Sequence, residues 1–439
     1  MNYVTAIRDA DQDPQQLETL FQTARKENGV EAFTADLETC YHEANDNMLY
    51  AAWHYRLEAM VRDERAERRG INWKVALPVS LAAGLALWLL SEPTLRIIDQ
   101  YQVLGLYGIP LTILFALALM GLSAGQSQRR YVLAGIGLIA AFAYVPLIVA
   151  ARDAIYRGHY ADLMTSHLPV LAWAAVGIGV LGMRSPAGER FAFLLKSFEV
   201  LVTAGLFLIG GVIFAQVTLS LFWALDIQIP DAIQRLLIVG VLGPTSLLAL
   251  ASAYDPKRRP LAQDFRAGLA RLLATLARLL LLPTLLVLAL YIFALLSNFE
   301  GPFKDRDVLG IYHAMLFAVI GLLIGATPIQ EGDLPARFRS ALRAAIIGTA
   351  GLAALVGLYT LAAIVYRTIN DTLTMNRLTL IGWDVINVGI LATLINRQYQ
   401  LGRQGRGWVE AAQSAFALGA VGYALWALFV ILAVPIIIR

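Results

Sequence analysis

An aspartate set inside an apolar run is the residue with most to explain. Asp384 lies some eight residues into the run 377–396, with Trp383 beside it and Asn387 one helical turn on. A carboxylate in hydrocarbon costs at least a few kcal/mol unless it is paired or hydrated, which makes it a candidate for binding an ion or a substrate. At ~1.5 Å per residue it sits roughly 12 Å inside the run. The competing reading is an interhelical ion pair, for which Arg235, near one end of the run 232–252, is the best-placed partner. The expected intramembrane polar cluster is therefore Asp384, Asn387 and Arg235. Its charge is expected to join the segment Arg367 to Arg377, which lies just before it in the chain and carries Asp371.

Other constellations lead away from enzymatic chemistry. Gly121-Leu122-Ser123-Ala124-Gly125 spells a nucleophile elbow, but no strand precedes it, and two glycines four apart also serve close helix packing. His42, His54, His159, His167 and His313 are scattered, with no two at metal-ligand spacing on one helix. His313 reads only as a polar group to be satisfied. Cys40 stands alone, which excludes an intrachain disulfide or a cysteine-based metal site. No catalytic residue, metal or cofactor is expected. Glu199 and Arg278 lie near helix ends and can snorkel to the interface. Gly243-Pro244-Thr245-Ser246 is a break in an apolar run, of the kind that frees backbone groups toward a cavity in transporters. Gly210-Gly211 and Pro283 are lesser breaks, and since glycine and proline are common in membrane helices, a mere kink is the preferred reading of each.

The elements that carry these residues are apolar runs. Hydrophobic residues make up 58% of the 439 and charged residues 15%, with a mean hydropathy of +0.62, where a soluble domain is about a quarter charged. Eleven runs recur, near 73–90, 103–122, 131–151, 168–183, 197–223, 232–252, 274–297, 308–327, 343–366, 377–396 and 412–436. About 20 apolar residues cross a bilayer as a helix, so the first and fourth runs are short. The expected fold is all-α, a polytopic membrane bundle over residues 71–439 behind a soluble acidic region over residues 1–70.

Basic residues test the count independently, because they concentrate in cytoplasmic loops. Alternate connections carry Arg62, Arg65, Arg68, Arg69 and Lys74; Arg129 and Arg130; Arg184, Arg190 and Lys196; Lys257, Arg258, Arg259, Arg266 and Arg271; Arg337, Arg339 and Arg343; and Arg397, Arg403 and Arg406. The other side holds only Arg96, Arg152, Arg157, Lys304, Arg306, Arg367, Arg377 and Arg439. A cytoplasmic N-terminus, an outside C-terminus and an inner (plasma) membrane location follow as expectations. The basic excess suits anionic lipid, and nothing in it suggests nucleic acid.

Residues 1–60 hold four basic and eleven acidic side chains. Asp13-Pro14 reads as a helix start, and a stripe of Val30, Phe33, Leu37, Tyr41, Ala44, Met48, Ala51, Tyr55 and Met60 predicts a second helix to about Arg62. Such a cytoplasmic hairpin would need a partner surface, in the bundle or on another protein. Pro186, Pro260 and Pro335, each followed by a phenylalanine and arginines, recur at spacings of 74 and 75 residues. Any series of hairpins with basic inner loops shows such a period, and that reading is preferred to a true repeat.

The stretch Tyr366 to Arg377, with Arg367, Leu373, Thr374 and Arg377 in place, resembles a pattern in bacterial multi-pass proteins grouped as the domain of unknown function 4153 family. That family carries glycine before Leu-Thr, where this chain has Thr372. The resemblance would cover residues 73 to 436, and it implies a bacterial polytopic membrane protein without an established activity. Arg367, Asp371, Thr374 and Arg377 form the candidate outer-loop motif. Two functions stay open: a permease or transporter-like protein with its site near Asp384, or a scaffold that docks a cytoplasmic protein through residues 1–60.

Overall fold

The structure is a computed structural model and describes residues 3–26, 29–44, 46–67, 71–98, 101–125, 128–297, 299–300, 303, 306–404 and 407–438. Arg68, Arg69, Lys304, Arg406 and Arg439, which belong to the charge pattern above, lie outside the described residues. The chain forms two compact units, Met1–Asn72 and Trp73–Arg439.

The N-terminal unit holds four helices where the sequence suggests two: α1 (Val4–Asp9), α2 (Pro14–Lys26), α3 (Val30–Glu43) and α4 (Met48–Glu67). α2 opens on Asp13, whose Oδ1 accepts from the backbone N–H of Gln15 and Gln16 at 2.9 and 3.1 Å. The expected long helix is divided because Asn47 caps a new one, accepting from the N–H of Leu49 and Tyr50 at 2.9 and 3.3 Å. This break reorients the stripe. Tyr50, Trp53 and Leu57 turn inward, whereas Met48 and Tyr55 stay 85% and 63% exposed. The rings of Phe21, Phe33 and Trp53 pack at centroid distances of 5.4 to 6.2 Å over buried Leu17, Leu37 and Cys40. Phe33 and Leu37 of the stripe thus pack inside the unit's own core, and Met48 and Tyr55 do not.

The second unit contains α5 (Trp73–Leu90), α6 (Val103–Ala124), α7 (Gln128–Ala150), α8 (Ala154–Leu181), α9 (Ala187–Ala224), α10 (Asp231–Ile238), α11 (Leu242–Ala253), α12 (Gly268–Ser297), α13 (Arg306–Ala326), α14 (Ala336–Asn370), α15 (Met375–Gln404), α16 (Trp408–Leu432) and α17 (Val434–Ile437). Among the described residues eleven helices are long and apolar enough to cross a membrane, with α10 and α11 forming one crossing. The protein is an all-α, multi-pass membrane bundle. α8 is longer than the run 168–183 suggests, because Arg157, His159, Asp162 and His167 lower the hydropathy of its first half.

Helices α6, α7 and α8 pack together, α5 lies against α6 and α11, and α11 lies against α9. α12, α13, α14 and α15 form a second group. α16 joins the two groups by packing on α8, α9 and α15. Its Val430 and Ile431, with Val434 of α17, close the core of α6–α8, while its Ala412, Ala415 and Phe416 enter the core built by α9 and α12–α15. Leu206, Ile213 and Phe214 of α9 and Leu282, Val287 and Leu290 of α12 remain exposed, a surface suited to lipid tails.

The sixth crossing breaks at Val239 to Val241, one turn before the expected Gly243-Pro244. Pro244 lies in the first turn of α11, where its missing N–H leaves no helical acceptor unpaired. Pro186 and Pro335 stand at the N-termini of long helices, but Pro260 starts a three-residue 3₁₀ turn and α12 begins only at Gly268. The three loops thus share a proline and not a common structure.

Candidate functional site

Asp384 and Asn387 occupy one face of α15 and both are completely buried. From Met375, where α15 begins, nine residues at ~1.5 Å place Asp384 roughly 13 Å along the helix. His313 stands seven residues from the first residue of α13, which starts on the same face of the bundle. The two meet: His313 Nε2 lies 3.1 Å from Asp384 Oδ1. The imidazole Nδ1 donates to the carbonyl of Leu309, one turn back, at 2.6 Å, and Nε2 also faces the carbonyl of Leu380 at 3.4 Å. Asp384 Oδ1 is close by distance alone, since no hydrogen-bond donor is aligned on either carboxylate oxygen.

Around this pair lies a shell of aromatic and amide groups. Tyr423 of α16 donates to Asn387 Oδ1 at 2.5 Å, while Asn387 Nδ2 has no partner among the described residues. The rings of Phe317, Trp383 and Tyr423 are mutually 5.4 to 5.8 Å apart. His167 of α8 packs on Trp383 at 5.2 Å, bonds through Nδ1 to the carbonyl of Leu163 at 2.7 Å, and keeps an unpartnered, buried Nε2. Four helices therefore bring ionisable or amide side chains to one depth.

Arg235 does not belong to this cluster, which corrects the expected ion pair. Its NH2 group meets Glu92 at 2.6 Å and NH1 donates to Ser91 at 3.4 Å, joining α10 to the end of α5. Arg235 lies in the short helix before the break, close to the loops, so an acid beyond α5 is within reach. The outer-loop motif also closes on itself. Arg377 NH2 meets Asp371 at 2.7 Å and NH1 donates to the carbonyl of Thr372 at 2.6 Å, while Thr374 accepts from the N–H of Arg377 at 3.3 Å to cap α15. The Arg377 guanidinium holds the Asp371 carboxyl below its ordinary range. Arg367 NH1 is buried without a partner. No contact joins the motif to Asp384 among the described residues, because seven residues of helix separate Arg377 from it, ~10 Å of rise.

No protein-family model, curated protein or solved structure matches this chain. Function must be read from the residues themselves.

Two grooves of about 930 and 910 Å³ open at the arginine-rich face of the bundle. Their polar walls are largely engaged in holding loops: Arg266 pairs with Asp333 at 3.0 Å, Gln413 donates to the carbonyls of Pro328 and Ile329, and Glu189 accepts from the N–H of Leu261. Buried Lys196 pairs with Glu199 at 2.6 Å and donates to the carbonyl of Asp264. Several polar groups of the grooves thus serve to hold loops, whereas the Asp384 cluster is buried and holds polar atoms without a partner among the described residues. The residues missed in the sequence are His313, His167 and Tyr423, since each lies on a different helix from Asp384. Depth was the available signal, as His313 and Asp384 are seven and nine residues into helices that start on the same face.

Ser123, in the elbow-like sequence, is buried at the end of α6, and Gly125 ends that helix with φ +69°. Gly121 packs on Tyr131, so the motif serves helix ending and close packing.

Proposed function

We propose that the protein is a permease or transporter-like membrane protein whose working centre is the His313–Asp384 pair, and that it is a bacterial inner-membrane relative of the domain of unknown function 4153 family. The pair carries the first reading. An acid and an imidazole held together inside an apolar bundle, with Asn387 and His167 left partly unpartnered, cost stability that apolar side chains would not. Such groups most simply serve an ion or solute that passes between helices. Arg367, Leu373, Thr374 and Arg377 support the family reading, which brings no activity with it. A second reading, a scaffold that docks a cytoplasmic protein, is favoured by one surface: Tyr41 stacks on His54 at 4.6 Å, next to exposed Tyr55, on the acidic N-terminal unit.

The test is complementation of a deletion strain across solute uptake and tolerance screens by Asp384→Asn and His313→Gln at matched membrane levels. Leu391→Ala, which opens the same bundle core, controls for stability. Loss of function in the first two and its retention in the third is expected. Full complementation by Asp384→Asn would remove the pair from the activity, and loss only on deletion of residues 1–60 would favour the scaffold.

A further inference from the structure

Both nitrogens of His313 face oxygens that have no proton to offer, the carbonyls of Leu309 and Leu380, and Asp384 Oδ1 stands beside Nε2. A neutral imidazole would turn a lone pair toward one of them. The imidazolium satisfies both carbonyls, and the carboxylate cancels its charge. The helices packed around the pair bring no other full charge to it: α8 supplies His167, α15 supplies Asn387, α16 supplies Tyr423 and Trp426, and α14 has no Asp, Glu, Lys, Arg or His between Arg343 and Arg367.

We propose that His313 and Asp384 form a proton-binding site and that this proton is the coupling ion, an inference that rests on the transport reading above. In this arrangement the pair holds one dissociable proton and is neutral as a whole. On release, the proton passes from the imidazolium to water, the ring becomes neutral and the site is left with the single negative charge of Asp384. The carboxylate oxygens, with no aligned donor, then meet water or the returning proton together with Asn387 Nδ2. A metal cation fits less well. It would have to displace a like charge from Asp384, Asn387 Oδ1 is already taken by Tyr423, and no group of three His, Cys, Asp or Glu able to hold a metal occurs among the described residues.

The experiment is nitrogen NMR of ring-labelled histidine in the full-length protein in lipid bilayers across pH 5–9, with His313 assigned by the signal lost in His313→Gln. One of the five histidines is expected to keep the imidazolium signature to the upper end of that pH range, and to lose it in Asp384→Asn. A neutral His313 ring in the wild-type protein at every pH overturns the proposal and needs no variant of Asp384 to fold. So does a change in that signal when sodium replaces choline at constant pH. Complementation decides the underlying reading separately. A persistent imidazolium with silent variants keeps the proton site but removes its transport role, whereas a neutral ring with lost function removes the proton and leaves transport standing.

Discussion

Gly84 and Gly243 meet backbone to backbone where α5 crosses α11. A Cβ on Gly84 would fall 2.3 Å from the carbonyl oxygen of Gly240, and one on Gly243 would fall 2.4 Å from the Gly84 nitrogen. The break in the sixth crossing therefore brings two helices into closer approach than any side chain permits, rather than opening a cavity.

Gly84→Ala and Gly243→Ala should each destabilise the bundle by about 1–3 kcal/mol or more, because the opposing atoms are backbone and cannot swing aside. Gly137→Ala and Gly389→Ala, whose added methyl groups meet nothing within 4 Å, should melt like the wild type in detergent. Equal melting of all four variants would show that the α5–α11 contact is looser than described.

Asp384 and Arg235 should behave as independent sites. Arg235 is bound to Glu92, whose side chain is 45% exposed, so Glu92→Gln should cost at most about 1 kcal/mol after solvent screening. Asp384→Asn removes the counter-charge of buried His313, but the ring can shed its proton, so the loss should fall below the roughly 3–5 kcal/mol of a stranded buried charge. The melting losses of Arg235→Gln and Asp384→Asn should add within about 0.5 kcal/mol, while Asp384→Asn and His313→Gln should not add. A non-additive Arg235 and Asp384 would restore the pairing expected from the sequence.

Apolar length and arginine placement made the crossings legible, because lipid and the membrane interface act on each helix separately. Asp384 and Asn387 were legible for the same reason, since a carboxylate in an apolar run stands out without any partner. His313, His167 and Tyr423 became part of the site only when four helices were placed side by side, a relation no local spacing contains. In the N-terminal unit the stripe ran on through Asn47, and a side chain that caps a helix outweighed the periodicity. Arg235 was misassigned because charge and approximate depth were matched without the loop that brings Glu92 nearer.

Cys40 reports on the N-terminal core. Its side chain is about 1% exposed, and burial pushes the thiol above its ordinary range, so little thiolate forms at pH 8. A soluble thiol reagent should leave the native protein unlabelled and modify one site per chain on unfolding. Labelling of the native protein at the rate of a free cysteine would mean that α1–α4 do not hold the packed core described.

Crossing number can be tested with the same chemistry. In a Cys40→Ala background, Gln228→Cys and Thr372→Cys lie in exposed connections separated by four crossings, α10–α11, α12, α13 and α14, so they must report the same side. Lys257→Cys lies one crossing beyond Gln228, in a loop that also carries Arg258 and Arg259, and must report the other. The arginine asymmetry predicts a cytoplasmic location for the Lys257 side, since translocating such loops opposes the charge bias of insertion. An impermeant maleimide added to cells with a permeable outer barrier should therefore label Gln228→Cys and Thr372→Cys directly, and Lys257→Cys only after the membrane is opened. Disagreement between Gln228→Cys and Thr372→Cys would reveal a helix that does not cross, with α12 and α13 the first to examine. Where that disagreement comes with Gln228→Cys matching Lys257→Cys, the broken α10–α11 segment is the one that enters and leaves on one side.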